Sequence, residues 1–193
     1  MEKKSPPSAI KGSLLTLKKH TPTLAYNMFE VIDKDRDRLG QFLPWVEHMK
    51  SVDNQLWYIN ECKGDWEAGT MFDYGIFNHQ DQYIGNFGVH SISWADDRCE
   101  LGYWISSHFE GQGFISASVR MLEKVLFEMN FNRIEIRCDP LNKKSSAVPI
   151  RNAYKYEGVL LQYQYQAGKH RDTAVYAKLL SEYRSGGNKQ ETE

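Results

Sequence analysis

The stretch CELGYWISSHFEGQGFISASVRML, residues 99–122, limits the folds open to this chain more than any other. Residues 100–106 read as a strand, and Val119, Leu122, Val125, Leu126 and Met129 then recur at helical spacing. Between the two lies Glu110-Gly111-Gln112-Gly113. A helix that starts so soon after a strand leaves its first amides without partners inside the helix, and it turns the positive end of its dipole toward the junction. Glycines there serve either a tight turn or a close approach of the backbone to a bound group. The second reading describes an anion site, most often one for phosphate. It is neither of two common nucleotide loops: no Lys-Ser/Thr follows the glycines, and the third glycine of the dinucleotide fingerprint is missing.

Around this junction the chain reads as one mixed α/β (α+β) domain. Leu14-Leu15-Thr16-Leu17 is a short strand-like run. Thr21 and Pro22 suit a helix start, and Leu24, Met28, Val31 and Ile32 form its apolar stripe until Gly40 and Pro44 break it. A second helix is expected over residues 51–68. Strands over 71–77, 83–94 and 100–106 then follow as a meander, parted by Asn78-His79-Gln80-Asp81 and Ala95-Asp96-Asp97-Arg98. Beyond the central helix, Arg133-Ile134-Glu135-Ile136-Arg137-Cys138 alternates as a strand. Ser145-Ser146-Ala147-Val148-Pro149 looks like a capped helix start with Pro149 in the first turn, where its missing amide costs nothing, and the helix should run to about residue 156. Two closing strands, 159–166 and 172–180, are expected about a turn at Gly168. Residues 1–12 and 184–193 are expected to be loose tails flanking a domain of residues 13–183.

A formal net charge of -1 with 25% charged residues gives no basic bias, so nucleic acid is not an expected partner. Cys62, Cys99 and Cys138 are odd in number and include no C-x-x-C pair, which argues against a disulfide framework and against a zinc site, and no metal is expected. No run of about 18 apolar residues occurs, and none follows Met1-Glu2-Lys3-Lys4. A cytoplasmic protein without a membrane partner is the simplest expectation.

The combination of Glu100-Leu101-Gly102-Tyr103-Trp104-Ile105, Glu110-Gly111-Gln112-Gly113-Phe114-Ile115-Ser116, Asn132-Arg133-Ile134-Glu135-Ile136 and Asn142-Lys143-Lys144-Ser145-Ser146-Ala147-Val148-Pro149 resembles the GNAT N-acetyltransferases. Within them it is similar to the RimJ/RimL-like branch, which acetylates ribosomal-protein N-termini. The resemblance extends from about Leu14 to Tyr183. It implies a mixed central sheet of about seven strands with helices on both faces, and acetyl-CoA as co-substrate. Against the broad pattern [QR]-x-x-G-x-[GA], Glu110 departs from Gln or Arg and Ile115 from a small residue; the RimL-like branch accepts a large residue at that last place.

The resemblance also assigns roles. The amides of Gly111, Gln112, Gly113, Phe114, Ile115 and Ser116 would hold the CoA pyrophosphate, whatever the side chains are. The backbone of Tyr103, Trp104 and Ile105 would meet the pantetheine arm and thioester, with Asn142 also on the CoA side. Ser145 falls on the serine that protonates the departing thiolate, although capping a helix is an equal use for it. The glutamate that relatives use as base falls on Gln164, which cannot take a proton. His90 stands on a strand where relatives carry His or Asn toward the substrate, and an imidazole suits proton transfer near neutrality. Trp45, behind Pro44, is expected at the acceptor mouth together with His90 and Gln164. The acceptor is expected to be a protein N-terminus or a small amine, such as an aminoacyl-nucleotide antibiotic detoxified by acetylation. A non-catalytic acyl-CoA-binding module is the alternative that Gln164 favours, and a homodimer is implied by the relatives alone.

Overall fold

The computed structural model describes residues 4–166 and 168–187. Its strands are β1 (Ala9–Lys11), β2 (Thr16–Lys19), β3 (Phe72–Phe77), β4 (Tyr83–Ser93), β5 (Arg98–Ile105), β6 (Arg133–Cys138), β7 (Lys155–Gln166) and β8 (Lys169–Leu179). They form one sheet in the order β1-β2-β3-β4-β5-β6-β8-β7. All neighbours are antiparallel except β5 and β6. Parallel neighbours need a crossover, and α4 (Phe114–Glu128) provides it.

The other helices are α1 (Ala25–Lys34), α2 (Arg36–Gly40), α3 (Val52–Ala68), α5 (Lys143–Arg151) and α6 (Leu180–Gly187). α3 begins where the Ser51 hydroxyl accepts the Asn54 amide at 3.2 Å, and it ends at Gly69 with φ 68°, a left-handed conformation that glycine holds without strain. Val119, Leu122 and Leu126 of α4 are buried against Phe87, Leu101, Ile134 and Tyr176 of the sheet. On the other face Met28 and Ile32 of α1 and Ile59 of α3 close over Tyr83 and Trp104. Each such side chain contributes about 1.5–3 kcal/mol by leaving water.

Several boundaries differ from expectation. The sheet has eight strands rather than about seven, because residues 9–11, expected within a tail, pair with β2. Three residues carry too little alternation to be read as a strand. Tyr74 Oη donates to the Pro7 carbonyl at 2.8 Å and fastens the same segment. The first helix is preceded by a 3-10 turn, Pro22–Leu24, and Pro44–His48 is a second 3-10 turn rather than a stop. Thr21 makes no cap; its hydroxyl lies 2.8 Å from that of Thr23. The helix expected to reach residue 156 ends at Arg151, and β7 starts at Lys155. At the other end, residues 184–187 belong to α6, while the tail expectations for 1–3 and 188–193 fall outside the described residues.

Candidate active site

β5 runs beside β6 only from Arg98↔Arg133 to Leu101↔Ile136. Beyond that point Gly102 to Ile105 keep their β4 partners but have none in β6, whose residues up to Cys138 pair with β8. The two strands therefore part, and a cleft of about 1950 Å³ opens between them. Its walls include the glycine loop, the start of α5, the segment from Arg38 to Trp45, and Gln164 to Gln166 of β7.

The glycine loop has the form expected of it. Gly111 and Gly113 sit at φ 74° and 84°, and Gly113 immediately precedes α4. The Gly113 carbonyl accepts the Ala117 amide at 2.9 Å, closing the first turn. This leaves the amides of Phe114, Ile115 and Ser116 at the open helix end without partners in the helix, and all three residues line the cleft. Gln112 donates its side chain to the His108 carbonyl at 2.9 Å, and Phe114 is buried edge-on against Phe109. Glu110, the departure from the broad pattern, is neutralised: its carboxylate accepts Arg38 at 2.8 Å and pairs with Lys144. Arg38 also holds Asp35 at 2.8 Å and the Ile105 carbonyl at 2.7 Å, so this carbonyl is already engaged. Ser107 gives Asp35 both its amide, at 2.6 Å, and its hydroxyl, at 2.7 Å. Burial pushes the Asp35 carboxyl up, but these Ser107 and Arg38 contacts outweigh it and hold the group below the ordinary aspartate range.

Ser145 is not the cap of α5. Asn142 caps it, its side-chain oxygen accepting the Ser145 amide at 3.1 Å. Two lysines stand between this cap and the serine, which hid the true start. Pro149 accordingly lies in the helix interior rather than in the first turn. It cannot supply an amide to the Ser145 carbonyl four residues back. Tyr103 fills the vacancy: its hydroxyl donates to that carbonyl at 3.1 Å, and the Ser145 hydroxyl reaches the same phenol oxygen at 3.5 Å. Tyr103 stacks on Phe87 with ring planes 14° apart, and burial pushes its phenol up, so it remains a donor. A proline in the helix thus frees the carbonyl that ties Ser145 to β5.

Elsewhere in the cleft His90 of β4 lies directly opposite Glu100 of β5. The imidazole covers Gly102, where a Cβ would come within 2.7 Å of Nε2. Trp45 packs on Trp104, ring centres 6.1 Å apart, and Gln164 stands on the opposite wall. Two further tryptophans differ: Trp66 is buried against Phe72 and Tyr74, whereas Trp57 is exposed. Cys138 lines the cleft with its thiol 3.3 Å from the Ser146 hydroxyl, and burial pushes that thiol up and keeps it protonated. Cys62 and Cys99 are buried, the first pushed up to about 12. None is an activated nucleophile. Among the described residues no cluster suits a metal ion, and no helix is long and apolar enough to cross a membrane.

All the residues singled out from the sequence at Trp45, His90, Tyr103, Trp104, Ile105, Gly111, Gly113, Phe114, Ile115, Ser116, Asn142, Ser145 and Gln164 line this one cleft. Gln112 adjoins it. Sequence reasoning missed Arg38, Glu100, Arg137 and Lys144. Lys144 carries a signal, a cation at the start of a helix beside an anion loop; Arg38 carries none, since 72 residues separate it from Glu110.

The fit to acetyl-CoA is specific in two places: helix-start amides exposed behind left-handed glycines, and a strand edge from Gly102 to Ile105 stripped of its β6 partner. Residues 15–155 match the Acetyltransferase (GNAT) domain family. The chain is 31% identical over 180 residues, 88% of its length and 93% of the relative's, to the "Putative ribosomal N-acetyltransferase YdaF" of Bacillus subtilis (strain 168). It is 25% identical over 154 residues, 79% of its length and 86% of the relative's, to the ribosomal-protein-serine acetyltransferase of Escherichia coli (strain K12). The solved structure of the microcin C7 self-immunity acetyltransferase MccE, in complex with acetyl-CoA and AMP, shares the fold with a TM-score of 0.86 at 22% identity, covering 90% of this chain and 97% of that one. A non-catalytic module is thereby set aside, and the chain belongs to the GNAT acetyltransferase family, as an N-acetyltransferase that uses acetyl-CoA.

Proposed function

We propose that the acceptor is the terminal amine of a protein, a ribosomal protein foremost, and that the enzyme works in the cytoplasm. One observation carries the acceptor class. A cleft of about 1950 Å³ exceeds the roughly 300–1,000 Å³ of a small-molecule pocket and leaves room for acetyl-CoA together with an extended chain. The names of the two bacterial relatives point the same way.

Acetyl-CoA supplies an activated thioester. The amides of residues 111–116 would hold its pyrophosphate, and the free edge of Gly102 to Ile105 would bond the pantetheine amides. Ser145, oriented by Tyr103 and the Asn142 cap, would protonate the departing thiolate. His90 would meet the acceptor amine with Nε2, while Trp45 and Gln164 confine the residue that follows it. Thiol release measured with serine- and alanine-initiated peptides of ribosomal proteins tests the reading: a single acetyl on the terminal amine is expected, lost with Ser145→Ala. Absence of any peptide product overturns it.

A second reading, detoxification of an aminoacyl-nucleotide or similar amine, is favoured by the Trp45–Trp104 wall, which could stack a heterocycle. Faster turnover of such amines than of every peptide selects it. A second copy of this chain is the partner we propose for β7, an edge strand that exposes Leu161, Tyr163 and Tyr165. Sedimentation should give a dimer, and Leu161→Lys a monomer.

A further inference from the structure

Trp45 and Trp104 pack together in the wall of the cleft, and what fixes their angle lies outside it. Ile84 and Phe87 both enter the core beneath α4, although strict alternation would send residues three apart to opposite faces. The β3–β4 register slips between Ile76 and Phe77, leaving Ile84 as an extra residue of β4. The slip brings Tyr83 and Asn86 onto the other face together, and Asn86 pairs directly with Trp104 of β5.

Tyr83 is 2% exposed and stands behind the residues that line the cleft. Its ring meets Trp104 edge to face, centres 6.1 Å apart, and meets Phe77 edge to face at 5.7 Å. Gly75 makes the space, since a Cβ there would come within 3.2 Å of the Tyr83 ring. The phenol donates to Asn86 Oδ1 at 2.5 Å, and Asn86 Nδ2 donates to Asp73 Oδ2 at 3.3 Å. A carboxylate only accepts, so the Asn86 amide can face no other way and the phenol must donate. Burial pushes that phenol well above the ordinary tyrosine range, so it keeps its proton. Asp73 is fixed in turn: Tyr58 of α3 donates to it, His20 Nε2 lies 3.3 Å away, and Gly88 leaves it room where a Cβ would stand 2.7 Å from Oδ1. Asp73, Asn86 and His20 are all buried. A hydrogen-bond chain away from water holds its geometry, because a lost partner leaves a buried group unsatisfied.

We propose that Tyr83 is a positioning residue for the acceptor: held by Asn86 and Asp73, it sets the tilt of Trp104, and Trp104 sets that of Trp45. The inference rests on the reading of Trp45 as a wall of the acceptor site. Acceptor affinity then depends on a side chain that no substrate touches. The backbone of Trp104 belongs to the bared edge of β5, so one residue serves the donor with its main chain and the acceptor wall with its ring.

The test compares Tyr83→Phe, Tyr83→Leu, Trp45→Ala and the Tyr83→Leu/Trp45→Ala pair in the full chain. Two indoles in contact give a coupled near-ultraviolet circular dichroism band. Trp45→Ala should abolish it, and Tyr83→Leu should lower it toward the Trp45→Ala level; this readout needs no acceptor. With acetyl-CoA and a serine-initiated peptide, Tyr83→Leu should raise the peptide KM about fivefold, with kcat within about twofold and the acetyl-CoA Kd unchanged. Tyr83→Phe keeps the ring, guards against misfolding of Tyr83→Leu, and should move band and KM the same way by a smaller step. The pair should bind peptide no worse than Trp45→Ala alone, because both losses act through one indole, whereas a merely structural loss would add to it. An unchanged band in Tyr83→Leu, or fully additive losses in the pair, overturns the proposal. Wild-type band and KM in Tyr83→Phe overturn the hold exerted through Asn86. If Trp45→Ala leaves the peptide KM unchanged, the reading of Trp45 fails, and the band still decides whether Tyr83 positions it.

Discussion

Replacing Tyr103 with phenylalanine should loosen α5 and slow catalysis together, and Pro149 sets how much. The phenol donates to the Ser145 carbonyl at 3.1 Å, the bond that an amide at position 149 would otherwise make. Without it a half-buried acceptor loses its donor, at a cost of about 1–3 kcal/mol. For a domain of this size each kcal/mol moves the melting temperature by about 2–4 °C, so Tyr103→Phe should melt roughly 2–12 °C lower. Pro149→Ala restores an amide. In the Tyr103→Phe background that amide can close onto the Ser145 carbonyl and recover about 1 kcal/mol. In the wild type it competes with a donor already in place and also loosens the unfolded chain, so it should be neutral or cost about 0.4–1 kcal/mol. Urea and thermal unfolding of the four proteins gives the coupling, expected at about 1 kcal/mol or more. Turnover should stay low in the double variant, because the Ser145 hydroxyl still lacks its partner at 3.5 Å. A zero coupling, with Tyr103→Phe costing the same whether or not Pro149 is present, would refute the account of the helix.

Gly113→Ala meets no atom within 4 Å, so its cost is that of φ 84° alone, about 1–2 kcal/mol, and calorimetry should find acetyl-CoA bound at least about tenfold more weakly as the amides turn away. Asp35→Asn removes a carboxylate whose folded value is depressed; the stability it contributes is present at neutral pH and lost as pH falls through that folded value. The gap between wild type and variant in urea melts should therefore close in strong acid, and a gap that is constant with pH would contradict the assignment. Trp45→Ala should raise the KM for the acceptor about fivefold or more and leave the acetyl-CoA Kd alone; equal loss of both would place Trp45 on the donor side.

Where burial and glycine chemistry act locally, the sequence could be read closely. β6 lies at Arg133–Cys138 as expected, because its alternation is strict and its flanks are turns. The loop from Gly111 to Ser116 was legible because only glycine holds two left-handed positions so near a helix start. What stayed hidden depends on partners distant in the chain. Pro149 suggested a first turn, since nothing local reveals a tyrosine 46 residues away that replaces the lost amide bond. Arg38 carries no local mark of its partner, because only the fold brings α2 to the loop. β1 was too short for its period to register.

The short β5–β6 seam has a mechanical consequence. Four residue pairs join an antiparallel block, β1 to β5, to a second one, β6 to β8. Beyond the seam the two blocks are held as the jaws of a wedge, with α4 as the hinge pin that carries the chain between them. A molecule that bonds the bared edge of β5 and fills the gap acts as a splint across the weakest line in the sheet. Pulling the two ends of the molecule apart should therefore tear the protein first along this line, and acetyl-CoA should raise the force at which it yields.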